Sequence, residues 1–198
     1  MTTIIGITGG IASGKSTFTK ELLKRGYKVQ DSDAVVSDLY KKPPKEFIKH
    51  LKKIKLAKSI NSKKINKKYI SKIIFSNKNI KTKLESYIFN HVRGARETFI
   101  SNEKKNKTKF IFLDIPLLFE NNLDKTFDII VVIISNKTQR LKRVRSNKKV
   151  STSLFNQILK FQTSDVVRKK RSDIVIYNNK SIKDYLIKID KNIKKITE

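Results

Sequence analysis

Residues 3–17 read TIIGITGGIASGKST, and the fold turns on how this stretch is read. Thr3 to Thr8 is a short apolar run ending at glycines, and Lys15 to Arg25 carries Phe18, Leu22 and Leu23 at helical spacing. The order is strand, loop, helix. Between them, Gly9 to Ser16 matches GxxxxGK[ST]. A tight loop ahead of a helix turns successive backbone N–H groups toward phosphate oxygens, and the helix N-terminus adds partial positive charge. Gly10, Ile11, Ala12, Ser13, Gly14, Lys15, Ser16 and Thr17 are therefore the candidate ATP contacts. Lys15 would reach the β and γ phosphates, and the Ser16 hydroxyl would ligate Mg²⁺.

Working outward, Gly26 stands where a C-cap closes the first helix, and Tyr27 to Gln30 alternates as a second strand running into Asp31, Ser32 and Asp33. An open parallel sheet places its ligand crevice at the carboxyl ends of its strands. On an extended chain, residues two apart face the same way, so Asp31 and Asp33 would both look into that crevice. A carboxylate there can orient or deprotonate an acceptor hydroxyl, and one of the pair can instead cap the helix that follows.

From Lys41 to Thr108 strand signals stop and helical spacing dominates, which predicts an all-helical insertion. Strand character returns at Phe110 to Asp114 and at Phe127 to Ile134, an apolar run suited to a strand buried on both faces. Helices are expected over Thr138 to Arg145 and Leu154 to Phe161, with a last short strand at Asp173 to Tyr177. Ser181 to Lys195 closes as a helix with Ile182, Tyr185, Leu186, Ile189 and Ile193 on one face. Five strands alternating with helices predict a three-layer α/β/α fold around a five-stranded parallel sheet.

The 198 residues suffice for one compact α/β domain, and the absence of cysteine excludes disulfides and thiolate metal sites. No run reads as a signal peptide or a membrane span, so a soluble cytoplasmic protein is expected. The formal charge is +29, from 46 Lys and Arg against 17 Asp and Glu. Alone, that suggests a polyanionic partner. The excess is mostly lysine, however, and comes with many Ile and Asn and few Gly or Pro, a coding-bias pattern. No recognisable nucleic-acid motif accompanies it, and the aromatics are not interleaved with the basic runs. No specific nucleic-acid partner is expected, and the oligomeric state is not legible.

A nucleotide loop does not by itself separate a hydrolase, a switch and a kinase. The chain as a whole resembles the dephospho-CoA kinases, P-loop kinases that phosphorylate the ribose 3′-hydroxyl of dephospho-CoA with ATP. The resemblance is carried by GITGGIASGKS, by DSD at Asp31 to Asp33, by DIPLLFE at Asp114 to Glu120, and by Arg143, Gln162, Arg168 and DIVIYNN ending at Asn178 and Asn179. It implies a core at 1–40, 109–135 and 172–198, a helical acceptor-binding insertion at 41–108 and a helical lid at 136–171. It further implies Asp33 as catalytic base, Lys15 as phosphate clamp, Arg143 as a lid arginine on the transferring phosphoryl group, and Asn178 on the ATP side. Asp31, Asp33, Pro116, Leu117 and Leu118 would form the acceptor side. Two positions depart from the family pattern: Phe89 and Asn90 stand where a His-Pro pair is usual, and Asn147 replaces a further lid arginine. Another P-loop nucleotide or small-molecule kinase is the close alternative; a basic nucleic-acid-binding protein with a vestigial nucleotide site is the remote one.

Overall fold

A computed structural model describes residues 1–61, 64–147 and 150–198. Ser62 and Lys63 of the expected insertion, and Lys148 and Lys149 of the expected lid, lie outside the described residues. In chain order, strand β1 (Thr3–Gly9) leads to helix α1 (Lys15–Lys24), β2 (Lys28–Asp31), α2 (Ser32–Lys41) and α3 (Lys45–Lys53). Two very short strands follow, β3 (Ile60–Asn61) and β4 (Lys64–Ile65), then α4 (Lys67–Ser76) and the long α5 (Lys78–Lys105). The remainder is β5 (Phe110–Asp114), β6 (Ile129–Ile134), α6 (Lys137–Asn147), α7 (Thr152–Phe161), α8 (Asp165–Lys170), β7 (Ile174–Tyr177) and α9 (Ile182–Thr197).

The chain divides into two compact units, one of residues 1–31 with 100–198 and one of residues 32–99. In the first, five parallel strands lie in the order β2-β5-β1-β6-β7. The apolar runs of β1, β5 and β6 occupy the three central places because each is covered on both faces, and Ile5, Ile7, Phe112, Val131 and Ile133 are fully buried. Phe18 and Leu22 of α1 and Tyr185, Ile189, Ile193 and Ile196 of α9 pack onto this core. The buried stripe of α9 therefore sits further along the helix than its periodicity suggests. Ile182 and Leu186 are exposed, and Ile196 takes a place on the face, because spacings of four and three residues from Tyr185 follow the actual line of contact. Gly26, at φ +79°, turns the chain out of α1 as expected.

The second unit has its own core, built from Leu39 of α2, Phe47 and Leu51 of α3, Ile54, Leu56, Ile70 of α4 and Leu84 of α5. Tyr40 meets Phe47 edge-on at 5.4 Å, and Phe47 stacks on Tyr87 at 5.2 Å. The insertion is not all-helical, since β3 and β4 pair antiparallel, Ile60 opposite Ile65; two-residue strands leave no periodic signal. Its compact unit also begins at Ser32 rather than Lys41, because Leu39 and Tyr40 bury into the helical core. Helix α8 was not expected either: six residues are too few for periodicity, and its start is set by Ser164, whose hydroxyl accepts the Val167 N–H at 3.3 Å.

Candidate phosphate-transfer site

Parallel register brings the carboxyl ends of β1, β2 and β5 level in the first unit, with Ile7 opposite Asp114 and Asp114 opposite Asp31. The glycine loop leaves β1 at Gly9 and enters α1 at Lys15, which makes this edge the ligand crevice of the sheet. Within the loop, Ser13 N–H closes on the Gly10 carbonyl at 3.0 Å, Ala12 is left-handed at φ +57°, and Gly14 is left-handed at φ +106°. Gly14 is required twice over. Its φ disfavours any side chain, and a Cβ there would lie 2.1 Å from Asn178 Nδ2.

The loop carbonyls are drawn away from the crevice by side chains from distant elements. Arg143 of α6 donates through Nη1 to Ala12 O (3.1 Å), Ser13 O (3.2 Å) and Ser135 Oγ (3.1 Å). Its Nη2 donates to the backbone and side-chain oxygens of Asn178, at 2.9 and 3.0 Å. Asn178 Nδ2 donates to Ser13 O at 2.8 Å, and Tyr185 OH donates to Gly14 O at 3.1 Å. Burial pushes the Tyr185 hydroxyl far above the ordinary tyrosine range, so it stays protonated and stays a donor. With the carbonyls held outward, the N–H groups of Lys15 and Ser16, which precede the first helical bonds from Thr17 and Phe18 to the Gly14 carbonyl, line the anion side.

Lys15 Nζ is hydrogen-bonded to Asp114 Oδ1. Thr19, one turn along α1, donates its single hydroxyl proton to Asp114 Oδ2 at 2.6 Å, with the Lys15 carbonyl 3.2 Å from the same oxygen. Asp114 is 1 % exposed. Burial raises its carboxyl above the ordinary range; Lys15 and Thr19 pull it back, and the charge of Asp31 adds to the rise. This carboxylate is the principal site residue that motif reading left unassigned. Its signal was available: an acidic residue ending an otherwise apolar strand, at the head of DIPLLFE. Thr19 offered none, because a threonine in a helix is ordinary until the fold sets a carboxylate beside it.

The other expected residues fall as follows. Asp31 ends β2, while Asp33 sits in the first turn of α2 and belongs to the second compact unit. The two-residue alternation argued for them therefore does not apply, because the backbone turns helical at Ser32. Ser16 and Thr17 are in the first turn of α1, Ser16 with an exposed side chain. Pro116 O accepts the Thr8 hydroxyl at 3.4 Å, and Leu117 is 43 % exposed. Leu118 is fully buried, so it supports the segment after β5 from within the core rather than facing a ligand. Arg143 holds the loop carbonyls rather than pointing into an open lid. Phe89 and Asn90, at the family's His-Pro positions, lie on α5 with exposed side chains, and Asn147 ends α6, also exposed.

Comparison with known proteins gives the same direction. Residues 3–184 match the family described as dephospho-CoA kinase. The chain is similar to the dephospho-CoA kinase of Fusobacterium nucleatum, 38 % identical over 191 residues, covering 95 % of each chain. It is similar to that of Streptococcus mutans, 33 % identical over 196 residues, covering 99 % of this chain and 98 % of the other. Among solved structures, dephospho-CoA kinase from Campylobacter jejuni superposes with a TM-score of 0.76 at 27 % identity, over 100 % of this chain and 98 % of its own.

Proposed function

The chain belongs to the dephospho-CoA kinase family, and on that premise we propose that it transfers the γ-phosphoryl group of ATP to the ribose 3′-hydroxyl of dephospho-CoA, giving CoA and ADP. This is the last step of coenzyme A synthesis. The observation that carries the reading is the loop itself, whose carbonyls from Ala12 to Gly14 are all held outward while Lys15 is seated on a buried carboxylate.

Phosphoryl transfer of this kind is mostly positioning and charge stabilisation. The N–H groups of Lys15 and Ser16, and those of the loop apart from Ile11 and Ser13, receive the phosphate oxygens, and Lys15 supplies the mobile positive charge beside them. Asp114 fixes where that charge starts. Arg143 serves the transfer by keeping the loop open toward the anion. Asp33, in the first turn of α2, accepts the proton of the attacking hydroxyl, and Asp31, Pro116 and Leu117 belong to the acceptor side. Asn178 holds the loop from the ATP side. Among the described residues no cluster of three acidic, His or Cys side chains is built to hold a metal. Mg²⁺ binds through phosphate oxygens, water and one or two protein ligands, and the exposed Ser16 hydroxyl in the first turn of α1 would be one of them. When bound, the ion neutralises charge on the β and γ phosphates. No helix among the described residues is long and apolar enough to cross a membrane.

The test is ADP release by the purified protein in a coupled assay, with dephospho-CoA compared against nucleoside monophosphates. Dephospho-CoA alone should support turnover, and Asp33→Asn should lower kcat by about 10²- to 10⁴-fold, the usual worth of a general base. Turnover of a nucleoside monophosphate instead, or an Asp33→Asn enzyme of undiminished rate, would overturn the assignment.

A further inference from the structure

Arg140 of α6 and Arg168 of α8 are 4 % and 1 % exposed, and the transfer step described above uses neither. Asp165 lies between them, accepting from Arg140 Nη1 on one oxygen (3.3 Å) and from Arg168 Nη1 on the other (3.2 Å). Arg168 Nη2 continues to Glu120 Oε1 at 3.2 Å, and the same oxygen accepts the Thr163 N–H at 2.7 Å. The chain of charges ends on the phosphate loop. Arg140 Nε donates to Ile11 O at 2.8 Å, and Gln162, closing α7, accepts the Ile11 N–H on Oε1 at 3.0 Å. Both backbone groups of Ile11 are thus held by the segment that follows β6.

The approach is close enough to need a bare Cα. A Cβ on Gly10 would lie 2.4 Å from Arg140 Nη2 and 2.9 Å from Arg168 Nη1. It is also costly. Arg140 Nη2, Arg168 Nε and Glu120 Oε2 are buried without a hydrogen-bond partner among the described residues, and a fourth such atom, Ser13 Oγ, is in the loop itself. Apolar packing of the same shape generally stabilises a fold as well as or better than buried ion pairs do. Unsatisfied polar atoms concentrated behind one functional loop therefore call for a local role. That role is set by what they touch: Ile11 sits between Gly10, which the arginines abut, and Ala12, which is held in a left-handed conformation that an L-residue leaves readily.

We infer that Arg140 is a positioning residue for the phosphate loop. Together with Gln162 it clamps Ile11 by both backbone groups, and the Asp165–Arg168–Glu120 chain fixes its guanidinium, so that α6 to α8 set the affinity of the loop for a nucleoside triphosphate. The inference rests on the loop holding ATP and not on the identity of the acceptor. The loop's grip matters most for ligands with β and γ phosphates, which gives the clamp a signature distinct from general destabilisation.

Calorimetric binding of ATP, ADP and AMP to the full chain without acceptor tests it, using Arg140→Ala and Gln162→Leu. Gln162→Leu introduces no buried charge and keeps the helix end, so it answers the question even if Arg140→Ala does not fold. Arg140→Ala should weaken ATP about ten- to hundredfold and Gln162→Leu about three- to tenfold, with AMP changed less than twofold in both. The double variant should lose less than the product of the two, since both groups hold one residue. Equal weakening of ATP and AMP, or a Gln162→Leu protein that binds ATP like the parent, overturns the inference. Because no acceptor is present, failure here is separable from failure of the dephospho-CoA assignment.

Discussion

Replacing Thr19 by valine isolates the seat of Lys15. The two side chains have nearly the same shape, so no cavity is opened, and Thr19 is only 4 % exposed, so water cannot stand in for its hydroxyl. What is lost is the 2.6 Å donor to Asp114 Oδ2. A hydrogen bond to a charged acceptor contributes about 1.5–3 kcal/mol, so Thr19→Val should destabilise the protein by roughly that amount at pH 8. The pH dependence carries a definite sign. Burial raises the Asp114 carboxyl, so the folded state binds its proton more readily than the unfolded chain, and stability from this group is greatest in acid and falls as pH rises through the raised value. Thr19 opposes that rise by favouring the ionised form. Its loss therefore matters most where Asp114 is ionised, and the penalty should shrink as pH is lowered toward 5. Urea unfolding of the nucleotide-free parent and variant at pH 8 and pH 5 measures both quantities. A penalty under about 0.5 kcal/mol at pH 8, or one that grows in acid, would refute the role given to the Thr19–Asp114–Lys15 group.

The remaining predictions concern Arg143 and the face of α9. Arg143→Lys cannot reproduce a fork that reaches Ala12 and Ser13 on one nitrogen and Asn178 on the other, and it leaves the Ala12 carbonyl without its donor. At about 1–3 kcal/mol for an unmet acceptor, ATP should bind some five- to hundredfold more weakly by calorimetry, while kcat at saturating ATP falls less; a large fall in kcat at unchanged affinity would instead put Arg143 on the transferring phosphoryl group. On α9, Ile189→Ala should cost about 2–5 kcal/mol in denaturant unfolding because the residue is fully buried. Ile182→Ala, at a 62 % exposed position, should cost under about 0.5 kcal/mol, and equal penalties would mean that the helix packs by a different face.

The loop shows how much of a site local sequence holds. GGIASGKS states its own turn, its own helix start and its own lysine, all within a few residues, and each is governed by backbone sterics and first-turn geometry. It does not state what holds its carbonyls outward. That falls to Arg143, Asn178 and Tyr185, and for Ile11 to Arg140 and Gln162, none of which stands within a hundred residues of the loop. Read along the chain, Tyr185 is one more apolar position on a helix face, and Arg140 one more cation in a basic helix.

The sequence by itself determined the alternation of five strand segments with amphipathic helices, and so a parallel sheet covered on both sides, with the phosphate loop after its first strand. Those features depend on periodicity and on local steric rules, which act between neighbours in the chain. Tertiary structure alone decided that Asp114 receives Lys15, that Leu118 is core, that α2 joins the helical unit, and that Arg140 and Arg168 are buried. Each depends on parallel register or on packing between distant segments. Desolvation then gives a carboxylate or a guanidinium a role that its residue type alone does not specify.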